Sequence, residues 1–388
     1  MKKKIILVIF VITTTISAYS QKSWTLSGYV SNMQSVMFDS IGNDWTNDNL
    51  IHNRLELRYY APKYFTIGID ARSRLITGET VKYMPNYSSS ISADNGLIDL
   101  SWNIVEEKSV ILNTNIDRAF ITFEKGNLNI TAGRQRINWA KTFVWNPNDI
   151  FNSYSFFDFD YMEKPGSDAI NIEYYTGMAS SINAVVKLDS ANNITAGAKY
   201  GFNLYNYDFQ IIGGVINEQD YVAGIGLTGN IWKFTVRSEA SYLQPDKNFA
   251  DTSGVLIASL GTEYMFPNST MVSFEFLYNQ MPKETQVGSF LQVYDAPLSV
   301  KNLSFTEYNI FGQITYPFTP LVSGTFAGMY YPKIEGFFVG PSLNISLTQN
   351  LDFSVIAQTF SGKFSNPITQ KDQRILFNIG FLKMKYSF

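Results

Sequence analysis

A chain of 388 residues with no cysteine and a formal net charge of −3 offers neither a disulfide framework nor the basic surface that nucleic acid requires. Aromatic residues make up 15% of it and charged residues only 16%, below the roughly 25% of soluble domains. No apolar run beyond the leader approaches the ~20 residues of a membrane helix, so few charges and many aromatics point to a transmembrane β-barrel.

The chain opens on Lys2, Lys3 and Lys4, continues with the apolar run Ile5 to Ile12, and reaches the small-x-small site Ala18-Tyr19-Ser20. This reads as a secretory signal peptide over 1–20, too short in its apolar part to span a bilayer. With no cysteine to carry lipid, residues 21–388 are expected to form one barrel domain.

Period-two alternation follows. In 54–59, Leu55, Leu57 and Tyr59 share one face; Arg54, Glu56 and Arg58 share the other. In 65–75, Phe65, Ile67, Ile69, Ala71 and Leu75 oppose Thr66, Gly68, Asp70, Arg72 and Arg74. Later segments agree: Ile170, Ile172 and Tyr174; Trp232, Phe234 and Val236 against Lys233, Thr235 and Arg237; Val272, Phe274, Phe276 and Tyr278 against Ser273, Glu275 and Asn279. Aromatics such as Trp24, Tyr59, Tyr60, Tyr64, Tyr316, Tyr330 and Tyr331 collect near strand ends, as an interfacial girdle would.

Tight links are expected at 61–63, 125–127, 176–178, 204–206, 228–230, 266–268, 318–320 and 349–350. Longer ones fall near 39–49, 78–108, 139–166, 244–253, 282–304 and 363–372; 189–193, 217–219 and 333–335 are short connections on the outer side. Alternating short and long links predict an all-β, antiparallel up-and-down barrel of about 18 strands, with 16 as the alternative. The last strand alternates Leu382, Met384, Tyr386 and Phe388 with Lys383, Lys385 and Ser387. Its ending resembles the signal by which barrel-assembly machinery recognises outer-membrane barrels, with Phe388 as the terminal aromatic.

Several motifs carry no chemistry of their own. Gly224, Gly226 and Gly229 match G-x-G-x-x-G, but the strand-like Asn230–Val236 follows where a nucleotide site needs a helix. His52, the only histidine, reads as a polar residue near a loop without a triad or zinc partners. Asp39, Asn43, Asp44, Asn47 and Asp48 are rich in oxygen but fit no calcium-loop spacing. No cofactor, metal site or catalytic residue is assigned, and an enzyme is not expected.

The arginines stand out. Seven of nine lie between 54 and 136: Arg54, Arg58, Arg72, Arg74, Arg118, Arg134 and Arg136. Lysine shows no such clustering. An arginine facing lipid costs roughly 2–4 kcal/mol at mid-bilayer, so most must face the lumen or the rim. The expected pore-lining set is Arg54, Glu56, Arg58, Asp70, Arg72, Arg74 and Arg118, with Glu56, Asp70 and Asp117 offsetting part of the positive field. Arg134 and Arg136 share parity with Leu128 and Ile130; either a bulge near Gly133 shifts the phase, or both sit at the external rim.

Residues 139–166 have no clear strand and mix aromatics with Asp149, Asp158, Asp160 and Glu163. So much aromatic surface is costly in water, which favours an inward fold that narrows the lumen and sets these carboxylates against the arginines. The alternative lays the loop over the rim.

Gly133-Arg134-Gln135, Ile137-Asn138-Trp139 and Trp145-Asn146-Pro147-Asn148-Asp149-Ile150 together resemble a block in porin-like outer-membrane barrels. These include barrels of Bacteroidetes-type bacteria and relatives of alginate-export channels. That family usually ends its Gly-Arg-Gln strand in Trp-Gly; here Ala140 replaces the second glycine. The resemblance implies a pore, with Arg134, Gln135 and Trp139 as loop anchors, and implies no substrate.

The expectation is a passive channel for small hydrophilic solutes in the outer membrane of a Gram-negative bacterium, in contact with lipid and leaning towards anions. The alternative is a barrel that binds or exports surface polysaccharide and conducts little. Whether protomers form a homotrimer is left open.

Overall fold

The computed structural model describes residues 23–39, 45–152, 163–247, 249–280, 299–304, 306–365 and 371–388. Nineteen strands run through them. Every strand except β4 (Ser101–Glu107) joins one closed, antiparallel ring of eighteen, in which sequence neighbours are spatial neighbours.

Closure is a seam of three strands. β1 (Trp24–Phe38) pairs on one side with β2 (Thr46–Tyr60) and on the other with β19 (Asp372–Ser387). The seam ends where Phe388 and Gly28 exchange backbone bonds of 3.0 and 2.9 Å. Long strands suit a bilayer crossed at a tilt: β1 and β2 have 15 residues each.

Parity sorts the two faces. Ile67 and Ile69 on β3 (Phe65–Gly78), Ile170 and Ile172 on β7 (Ser167–Gly177), and Leu382, Met384 and Tyr386 on β19 are exposed outward. Their in-facing neighbours are buried and mostly polar on β2, β3 and β5 (Val110–Lys125). The far wall is apolar inside. Phe311, Met329, Phe338, Phe360 and Phe377 are direct cross-strand neighbours from β15 (Tyr308–Thr319) to β19, all buried. Tyr331 belongs to this interior, its hydroxyl on the Met329 sulfur, so it is no girdle residue.

Two departures from the expected layout matter for the site. The 78–108 connection carries two short helices, α1 (Glu79–Tyr83) and α2 (Tyr87–Ser92), and the strand β4 (Ser101–Glu107). β6 (Leu128–Gln135) covers only the 119–125 part of β5; β4 runs beside the 110–115 part of the same edge. The tight turn expected at 228–230 lies further on, because β11 (Asp220–Ile231) runs through it. Trp232 is in that turn, left-handed at φ 56° and almost fully exposed, rather than on a strand face.

Candidate functional site: the barrel interior

Arg54, Arg58, Arg72 and Arg74 keep one parity through β2 and β3. Arg54 is 2% exposed and bonds to Glu56 (2.8 Å), Asp70 (2.8 Å) and Asp117. Arg58 also grips Asp70, with its second nitrogen at 3.0 Å. Arg74 donates to Asn113 Oδ1 (2.7 Å) and to the Ile91 carbonyl (2.9 Å), which fastens α2 to the inner wall. A buried guanidinium costs several kcal/mol unless its donors are satisfied, and three carboxylates around Arg54 do that.

Of the two alternatives for Arg134 and Arg136, the bulge near Gly133 does not occur. The β5–β6 pairing runs without a shift from Lys125↔Leu128 to Ala119↔Arg134. The irregularity is in β5, where Asp70 faces Arg118 and Ala71 faces Ile116, leaving Asp117 as the extra residue. That bulge buries Asp117 and Arg118 side by side. Arg118 then donates to the carbonyls of Glu163 and Lys164, at 2.7 Å each.

Arg134 is buried where β6 stops. It bonds to Asp168 (2.7 and 2.8 Å), Asp94 (2.6 Å) and the carbonyls of Ile98 (2.6 Å) and Ile116 (3.3 Å). One side chain thus ties β7, the 94–98 segment and β5 together. Gln135 donates to the carbonyls of Thr131 (2.9 Å) and Ala169 (3.1 Å).

From Arg136 the chain leaves the wall and crosses the interior. Trp139, 2% exposed, donates from Nε1 to Asn183 on β8 (Ser180–Leu188), and its carbonyl accepts from Gln210 on β10 (Tyr207–Ile216). Two carboxylates then hold the backbone. Glu239 on β12 (Phe234–Pro245) accepts from the N–H groups of Lys141, Thr142 (2.9 Å) and Asn148 (2.8 Å). Glu275 on β14 (Met271–Asn279) accepts from Phe143 (2.8 Å), Val144 (3.0 Å) and Trp145 (2.8 Å). Asn148 reaches the Ile225 carbonyl on β11 and Ser241 on β12.

Glycine on the inner wall makes room for the crossing. A Cβ on Gly224 would stand 2.6 Å from Asn148 Oδ1, and one on Gly197 would stand 3.1 Å from the Trp139 ring. Gly224 and Gly226 are thus in-facing strand positions of β11 (Asp220–Ile231), consistent with rejecting a nucleotide loop there.

Asp149 pairs with Arg136 at 2.8 Å rather than with the arginines of β2 and β3. Burial pushes its carboxyl up to about 6, against the pull of Arg136. Burial, with Arg136 adding repulsion, lowers the nearby Lys164 to about 8. Glu163 accepts from the Tyr29 hydroxyl at 3.3 Å. Asp158 and Asp160 lie outside the described residues.

Two cavities flank this crossing. One of 760 Å³ is bounded by Arg72, Arg74, Asn115, Phe151, Asn152 and Lys187, at the end where Asn95, Ser190 and Asn217 leave the wall. Another of 340 Å³ is bounded by Arg58, Asp70, Arg118, Gln135, Arg136 and Glu173, towards the tight-turn end.

Other residues were not picked out from the sequence. Lys385 faces Ser31, which faces His52, which faces Arg74; Lys383 faces Met33 in the adjacent row. The C-terminal strand thus adds two lysines to the arginine wall, with Lys385 4.1 Å from the Tyr29 ring centroid. His52 lies mid-strand, 1% exposed, and not near a loop. Asp48 accepts from Thr80 N (2.8 Å) and Oγ1, fixing α1 to the start of β2. Among the described residues no cluster of three or more metal-ligating side chains occurs.

No protein-family model and no curated protein matches the sequence. Solved structures match across nearly the whole chain. Acinetobacter baumannii OccAB4 is 10% identical with a TM-score of 0.59, covering 95% of this chain and 99% of its own. Pseudomonas aeruginosa OpdQ is 9% identical (TM-score 0.57, 95% and 99%), and a BenF-like porin from Pseudomonas fluorescens is 9% identical (TM-score 0.57, 94% and 98%). At these identities the likeness is one of fold: the closed 18-strand barrel of these porins. It lends no support to the alginate-export subtype suggested by the 133–150 block.

Proposed function

We propose that this chain is an outer-membrane channel through which small hydrophilic solutes diffuse. The observation that carries the reading is the crossing at 136–152, which leaves polar cavities on either side of it inside a sealed wall. Apolar packing fills the β15–β19 side, so the wetted path runs along β2, β3 and β5, whose residues line the two cavities. Arg54 is enclosed by Glu56, Asp70 and Asp117, whereas Arg72 and Arg74 border the larger cavity and Lys385 lies in one cross-strand row with His52 and Arg74. That balance favours anions. The crossing acts as the constriction, and Arg134, Gln135 and Trp139 anchor its approach.

Purified protein in planar bilayers is the test. Discrete current steps are expected, with a reversal potential under a salt gradient that reports anion preference. A silent bilayer, with the barrel folded and inserted, would overturn the reading.

A further inference from the structure

The in-facing walls of β12, β13 and β14 carry an arrangement unlike the rest of the lumen. β13 (Val255–Met265) lies between the other two, with Ser259 opposite Glu239 and Gly261 opposite Glu275. Glu239 is 1% exposed and Glu275 is fully buried, and neither has a lysine or arginine among its hydrogen-bond partners described above. Their partners are backbone amides: three N–H groups of the crossing segment on each carboxylate, and Ser259 Oγ on Glu275 at 2.8 Å. The segment from 141 to 148 is irregular, so it supplies no ladder of its own for these amides. A buried carboxylate and a buried amide each cost free energy alone; joined, they satisfy one another, and each bond is of the stronger, charge-assisted kind.

We propose that Glu239 and Glu275 are the positioning residues that set the bore, clamping the crossing segment to the wall of β12–β14 and holding open the path beside the arginines. This rests on the channel reading for its consequence, but the clamp itself is a separate physical claim. The side chains around it agree. Gly261 leaves space for the Phe143 ring, which a Cβ there would meet at 3.3 Å. Ser241 takes the Asn148 side chain at 2.7 Å. The wall is shaped to receive this stretch of backbone, and the two carboxylates fix its height.

The glutamine isosteres separate clamp from filler. Glu239→Gln and Glu275→Gln keep volume but replace a carboxyl whose two oxygens both accept by an amide whose NH₂ confronts N–H donors. The comparison is Glu173→Gln, a lumen carboxylate whose bonds go to Tyr175 and Ser181 and not to the segment. Two readouts are taken on full-length protein whose folded state is checked by heat-modifiable migration. In hydrogen exchange, amides 141–148 are expected to lose protection severalfold in each single variant and further in the double, with no change in Glu173→Gln. In bilayers, the double variant is expected to show a changed unit current with more frequent fluctuation. Unchanged exchange at 141–148 in the folded double variant would overturn the clamp whatever the bilayer shows. Altered exchange with a silent parent would keep the clamp and remove the channel.

Discussion

Arg54 and Asp117, 63 residues apart in the chain, meet as a buried ion pair on the inner wall. The pair exists because a bulge in β5 turns Asp117 towards Arg54 while Asp70 approaches from β3 at 2.8 Å. Truncating Arg54 to Ala leaves Asp70 and Asp117 buried beside Glu56 with their common cation gone. Loss of one partner of a buried network costs about 3–5 kcal/mol. The denaturant midpoint of refolded barrel should fall accordingly. Adding Asp117→Asn to the Arg54→Ala background should recover part of the loss, because the two substitutions share an interaction.

Selectivity is expected to follow Arg72 and Arg74 more than Arg54. Both face the larger cavity, whereas Arg54 is enclosed by carboxylates. Reversing both to Glu should move the zero-current potential towards cations, and Lys383→Glu with Lys385→Glu should move it the same way. Reversing Arg237, which pairs with Glu263 at 3.0 Å on the opposite wall, serves as the comparison and should move it less. An unmoved potential after the Arg72 and Arg74 reversals would take those residues out of the path.

The ring was legible in the sequence because its information is local. Period two marks each strand, and turn chemistry marks the eight tight links, all but one of which fall near their expected places. The parity of Arg54, Arg58, Arg72 and Arg74 follows from the same rule. Arg118 does not, since a one-residue bulge at Asp117 resets the phase and no turn residue announces it. Lys383 and Lys385 escaped as a cluster because they join the arginines only when the last strand meets the first. Glu275 could be placed on the inner face by parity; that its acceptors are filled by backbone from 130 residues away could not. β4 was missed because it is not one of the eighteen: it fills the space beside β5 that the short β6 leaves.

Arg134 closes that space, which gives it a mechanical role at the wall. Its bonds to Asp94 and the Ile98 carbonyl hold the 94–98 segment against Asp168 on β7. Arg134→Lys keeps charge but cannot make the fork to Asp168 and the two carbonyls together. Protease added to intact cells or reconstituted vesicles should then cut within 94–100, where the parent resists. Resistance equal to the parent's would mean the segment is held by other contacts, such as the bridge between Gly96 and Asp189.

The crossing should respond to pH through Asp149, which belongs to no strand. Its carboxyl is raised from 3.8 to about 6, chiefly by burial. A carboxyl that holds its proton more tightly when folded binds more protons in the native state between those two values. Native stability from this group is therefore present in acid and lost as pH rises from about 4 to about 6. Lys164, lowered from 10.5 to about 8, binds fewer protons in the native state across that upper interval, so stability from it increases as pH rises through it. Denaturant midpoints of the parent should show both slopes, superimposed on those of other groups. Asp149→Asn should remove the downward slope between pH 4 and 6 and, by taking away the carboxylate that holds Lys164 up, extend the upper one towards lower pH. A variant that keeps the parent's full slope below pH 6 would show that Asp149 ionises folded much as it does unfolded, and that Arg136, 2.8 Å away, offsets the whole cost of its burial.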